Sequence, residues 1–218
     1  MKWFVMVSLS LISAFGQAKI STAQKRALDA AAEGKIEDLR RLPKSFNWTL
    51  SDSNGESLLI KAVSTGQSEA VAFLLKKKVK INHVDKAGNS ALLYAVSNND
   101  TPIAAQLIGA GADLTLKYGK KKEHILFEAA RVGAREIADQ ILAKSPSLLN
   151  ELNADGESPL MAAIAGAQTQ LALHWIQKGA SVSHKTRDGK SMADYARSQD
   201  VKDGSPLAQA LLSQGETK

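Results

Sequence analysis

Histidine, serine and paired carboxylates are the side chains that could carry chemistry in this chain, which has no cysteine. A metal site needs imidazoles at short spacing, as in His-x-x-x-His. The four histidines, His83, His124, His174 and His184, form no such pair. A hydrolytic serine needs a sharp turn with glycine on both sides. Gly156-Glu157-Ser158-Pro159 puts proline directly after the serine and is not that turn. The acids are scattered, and the glycines are spread along the chain, not gathered into a phosphate loop. The expectation is no metal, no cofactor and no catalytic residue: a binding protein and not an enzyme.

The residues do have a period. Leu59, Leu92, Leu126 and Leu160 recur at intervals of 33, 34 and 34. Three residues after each comes an alanine: Ala62, Ala95, Ala129 and Ala163. Fifteen and sixteen residues after each come Leu74-Leu75, Leu107-Ile108, Ile141-Leu142 and Trp175-Ile176. Asp52, Asp85 and Asn153 stand seven before, and Gly55, Gly88 and Gly156 four before. Several columns in register mark a stack of similar units.

One unit, Asp85 to Leu116, can be read residue by residue. Asp85-Lys86-Ala87-Gly88 is a turn, since Asp bonds its own backbone and Gly accepts positive φ. Ser90 caps a short helix through Val96, and Ser97-Asn98-Asn99-Asp100 breaks it. Thr101-Pro102 opens a second helix with apolar Ile103, Leu107 and Ile108, and Gly111 ends it. Neither helix is long enough to stand alone in water, so each must bury its apolar side against the next unit.

This pattern resembles the ankyrin repeat. Ser158-Pro159-Leu160-Met161-Ala162-Ala163 is close to the family's Thr-Pro-Leu-His-x-Ala signature. Gly111-Ala112-Asp113 and Gly179-Ala180-Ser181 look like its Gly-Ala-Asp ending. The resemblance covers roughly residues 22–213, with a degenerate first unit around Ala30-Ala31-Ala32-Glu33-Gly34 and a last one from near Thr186. It implies an all-α solenoid of stacked helix-turn-helix units joined by hairpin loops, about five to six in number. There are departures. The family's histidine column reads Ile60, Leu93, Phe127 and Met161; Lys122 stands where the third hairpin should carry glycine; Ser145-Pro146-Ser147 replaces one ending; and Phe46-Asn47-Trp48 needs an insertion before Asp52.

The first eighteen residues read as an address. Met1-Lys2 is a positive start, Trp3 to Phe15 is mostly apolar, and Gly16-Gln17-Ala18 offers small residues for cleavage. The expectation is a signal peptide over 1–18, a single repeat domain over 19–218, and a periplasmic location. The alternative, a membrane anchor, suffers from an apolar run too short to span a bilayer comfortably. A repeat stack without cysteine is indifferent to an oxidising compartment. Asn47-Trp48-Thr49 matches the N-glycosylation acceptor pattern, which is common by chance.

The formal charge is +6 and the pI near 9.4. No nucleic-acid motif accompanies them, and export takes a protein away from nucleic acid. One basic cluster, Lys76-Lys77-Lys78 with Lys80, falls at the end of a second helix, where it favours the negative end of the helix dipole. Another, Lys117 with Lys120-Lys121-Lys122, falls in the third hairpin. The resemblance implies that hairpin tips and the residues after each alanine column face a partner. On that basis the binding residues are expected to be Trp48, Lys86, Tyr118, Lys120, Lys121, Arg131 and Arg187, a basic set with aromatic anchors. Trp48 has a second reading, as a cap over the first unit. Trp175 stands in a leucine column and is expected in the core.

For function, the resemblance implies a monomer, when free, that docks onto another exported protein. The sharper expectation is an inhibitor or immunity protein that covers the active site of a secreted peptidoglycan hydrolase, a DD-endopeptidase. The chain is similar to exported bacterial ankyrin proteins of this kind, including those by which a predatory bacterium restrains its own endopeptidases. Other binding readings are a partner of a periplasmic stress enzyme such as catalase, and an exported effector acting on host proteins.

Overall fold

Among the described residues, five hairpins and six helix pairs succeed one another. The computed structural model describes residues 21–77 and 79–215. The proposed signal segment 1–18 and Lys78 lie outside the described residues. The pairs are α1 (Thr22–Ala32) with α2 (Ile36–Arg40), α3 (Leu58–Ser64) with α4 (Ser68–Leu75), and α5 (Ala91–Ser97) with α6 (Thr101–Gly109). They continue with α7 (Ile125–Val132) and α8 (Arg135–Lys144), α9 (Pro159–Ala165) and α10 (Thr169–Gln177), and α11 (Met192–Ser198) and α12 (Pro206–Gly215). A 3-10 turn, Pro146–Asn150, occupies the stretch where the sequence departs from the usual ending.

The local chemistry explains why each first helix starts where it does. Ser57, Ser90, Ser158 and Ser191 each accept a hydrogen bond from the amide three residues on, satisfying a donor the helix leaves orphaned. Asp100 does the same for α6, with Pro102 in its first turn. His124 occupies the same column before α7 and makes no such side-chain bond.

Packing then joins the units. The first helices touch in succession from α1 through α3, α5, α7 and α9 to α11. The leucine and alanine columns meet between them; Ala62, Ala95, Ala129 and Ala163 are wholly buried. Each fully buried leucine contributes about 2 kcal/mol of transfer free energy, which neither helix could gain alone. Trp175 is buried as its column requires. The α7–α9 contact is so close that a Cβ added to Gly166 would lie 2.5 Å from the Arg131 carbonyl oxygen. That approach explains a glycine at the end of α9.

Six tight turns connect the two helices of each pair, and all use a left-handed residue. Gly34, Gly66 and Gly133 fill three, Asn99 and Asp200 two more, and Ala167, with φ 56°, the remaining one. Alanine pays for this backbone with a clash between Cβ and carbonyl oxygen. Ala167 is exposed. Ala167→Gly is therefore expected to stabilise the protein by about 1 kcal/mol, raising Tm by about 2–4 °C. Calorimetry that found an unchanged or lower Tm would refute the strain.

Candidate interaction surface

The hairpins stand side by side, and backbone bonds fasten neighbouring tips. Lys86 N–H donates to Asn54 O at 2.9 Å, Ala154 N–H to Lys121 O at 2.7 Å, and Arg187 N–H to Asp155 O at 3.0 Å. Between the second and third hairpins no tip-to-tip backbone bond exists among the described residues. There the Tyr118 hydroxyl lies 2.8 Å from Ser90 Oγ and joins the two.

The third hairpin is built differently, as its sequence foretells. Asp85 and Asn153 fold back onto their own following amides, but Gly119 stands in that column here. Tyr118 and Glu123 bond each other's backbone in both directions, at 2.7 and 3.1 Å, around Gly119-Lys120-Lys121-Lys122. Lys122 takes a φ of 55° where the other four hairpins place glycine.

Most of the basic residues expected to face a partner are already engaged. Lys121 Nζ lies 2.8 Å from Glu157 and 3.6 Å from Asp155. Arg131 reaches Glu123 at 2.7 Å and Glu128 at 3.3 Å. Arg187 donates to the Ala154 carbonyl at 2.6 Å and stands 3.9 Å from Asp155. The Asn153 amide bridges Glu123 and Glu157, and Ser97 donates to Glu128. One polar network thus runs from the second hairpin's unit to the fifth hairpin. Burial alone would raise the Glu157 carboxyl, but Lys121 and Asn153 hold it below its ordinary value, so it stays ionised. With four acids against three bases, this stretch is not the uniformly basic face that the lysine and arginine count suggests.

The two aromatic anchors are also committed. Tyr118 is half-buried, packs against the core and shares its hydroxyl with Ser90; burial pushes its phenol above the ordinary value. Replacing it would disturb the stack as well as any contact. Trp48 lies away from the tip row. Its ring meets Phe46 edge-on at 5.0 Å and Phe73 of α4 at 5.9 Å, with Lys77 Nζ 5.2 Å from its centroid. Lys86 and Lys120 remain exposed and have no acidic partner among the described residues, and Lys122 joins them. Tyr195 was not singled out from sequence. It lines an open trough of about 480 Å³ beside Glu157, Arg187 and Lys190. Its register matches Tyr94, four residues after the capping serine, and that match could have flagged it.

This geometry sets linked tips over paired helices, and among the described residues no group of histidines and acids could hold a metal. Comparison with known proteins bears on the repeat. The family described as ankyrin repeats, three copies, matches residues 27–118. The solved complex of Bd0816, a predatory endopeptidase from Bdellovibrio bacteriovorus, with the immunity protein Bd3460 contains a chain, the immunity protein, that is 30% identical. The match covers 87% of this chain and 98% of that one, at a TM-score of 0.77.

The chain belongs to the ankyrin-repeat family.

Other ankyrin proteins share less. The ankyrin domain of Bcl-3 superposes with a TM-score of 0.76 at 19% identity, covering 87% of this chain and 86% of that one, which speaks to the fold alone. The Caenorhabditis elegans homolog of transient receptor potential channel subfamily A member 1 is 26% identical over 190 residues, 86% of this chain and 15% of that protein. The ankyrin chain thus spans less than a fifth of the curated relatives it matches. Ankyrin repeats bind proteins, and no helix among the described residues is long and apolar enough to cross a membrane.

Proposed function

We propose that this ankyrin protein is an exported immunity protein that binds and blocks a peptidoglycan DD-endopeptidase of its own cell. The observation that carries the reading is the 30% identity, over almost the whole of both chains, to an immunity protein solved in complex with an endopeptidase. The leader-like first eighteen residues support delivery to the periplasm, where such an enzyme would act. A stack whose helices and hairpins are fixed before binding loses little freedom when it docks.

The mature protein, beginning near Lys19, is expected to suppress cleavage of cell-wall fragments by an endopeptidase from the same genome at one-to-one ratio. Undiminished cleavage across all such enzymes would defeat the proposal. The unpaired tip lysines set the binding surface within it. Lys86→Glu combined with Lys120→Glu is expected to weaken inhibition by about tenfold at low salt, with Tm unchanged. If the double variant inhibits as well as the parent, the tips are not the contact.

A further inference from the structure

A second charged feature lies in the first two helix pairs and shares no residue with the polar network of the later hairpins. The end of α2, the segment 43–49 and the end of α4 enclose an open trough of about 580 Å³. Arg40, Lys44, Lys76 and Lys77 line it, with Phe46 and Trp48 in the wall, and no acidic side chain takes part in the lining. The helix dipole accounts for a base at each helix end singly. It does not account for two helix ends from different units opening onto one trough with a fourth cation between them.

The aromatic wall is built firmly. Asn47 Oδ1 accepts from the Thr49 amide at 3.0 Å and from its hydroxyl at 2.7 Å, closing a turn around Trp48. Phe46 and Phe73 brace the indole edge-on. Lys77 Nζ sits 4.8 Å from the Phe73 centroid as well as 5.2 Å from that of Trp48, so the rings hold one cation in place. Arg40 has Glu37 at 3.0 Å on the surface of α2; Lys44, Lys76 and Lys77 have no acidic partner among the described residues.

We infer that this trough is a binding site for an acidic peptide segment of a partner protein, with carboxylates on the lysines and an apolar side chain against Trp48. Charge complementarity carries the assignment: three lysines, Lys44, Lys76 and Lys77, converge without an acidic partner among the described residues, beside a half-exposed apolar wall. The volume suits a few extended residues. The site is separate from the tip row and does not depend on the identity of the proposed enzyme target.

Titration of the mature chain with the peptide Glu-Phe-Glu-Glu tests it, read by tryptophan fluorescence, because Trp48 is half-exposed and Trp175 is buried. A saturable change is expected, weakening as ionic strength rises. Lys44→Glu with Lys76→Glu, both at exposed positions and neither held by the rings, is expected to weaken binding by about tenfold at unchanged Tm. Absence of a saturable change overturns the inference, as does equal affinity in the double variant. Tighter binding of inorganic pyrophosphate than of the peptide overturns it in favour of a small-anion site.

Discussion

Trp175→Ala is expected to lower folding stability by about 3–5 kcal/mol, the range for deleting a fully buried large aromatic. The ring lies in α10, wholly inside the stack, and α10 packs against both α9 and α12. Its removal empties the joint that attaches the last unit to the rest. The indole Nε1 finds no hydrogen-bond partner among the described residues. The contribution is therefore one of volume, and Trp175→Phe is expected to recover most of it. Urea unfolding of the three proteins would decide the matter. An alanine variant within about 1 kcal/mol of the parent would place the ring outside the core.

Acidification is expected to weaken the fold through one residue. His124 is fully buried before α7, with its ring 4.7 Å from that of Phe127. Burial first, and the Lys117 charge second, push its pKa down to about 4, against the opposing pull of Glu151 and Glu123. An unfolded histidine takes up its proton near 6.5. Between those values the unfolded chain binds more protons than the folded one. Stability is thus complete above pH 6.5 and falls as the pH drops towards 4, by about 3 kcal/mol in all. His124→Ser places in this column the residue that Ser57, Ser90, Ser158 and Ser191 already occupy. The variant should show a much flatter stability profile over that window, measured by denaturant unfolding at stepped pH. A variant that loses as much stability as the parent would show that another group is responsible.

The periodic residues make the fold legible in the sequence. The leucine and alanine columns locate both helices of the middle units, Ser90 locates one start, and Trp175 is buried as its column requires. The interaction surface was less legible. Register assigns a side chain to a face, but not to the neighbour it meets there. Lys121 and Arg187 stand on hairpins and Arg131 on a first helix, but Glu157 and Asp155, which meet Lys121 and Arg187, come from neighbouring units more than thirty residues away, and Glu123, which meets Arg131, lies on the far strand of Arg131's own hairpin. Those ion pairs depend on side-chain reach across the stack, which no column reports. Tyr118 misled for the opposite reason: its hairpin lacks the usual aspartate turn, so the tyrosine closes the hairpin and reaches back to Ser90. Trp48 stood in the one stretch without register, and only packing could place it against Phe73.

The missing tip bond between the second and third hairpins has a mechanical meaning. Spreading any other neighbouring pair of tips apart must break a backbone-to-backbone hydrogen bond; at the tips of this pair only a hydroxyl contact parts, the Asp113 N–H bond to Asn82 Oδ1 lying at the base of the hairpins. The row is therefore stiff within each of two groups of fingers and compliant at the seam between them, over a helical base that stays continuous. A partner whose contour does not match the row would be accommodated by bending at that seam, beside the unpaired lysines on either side of it.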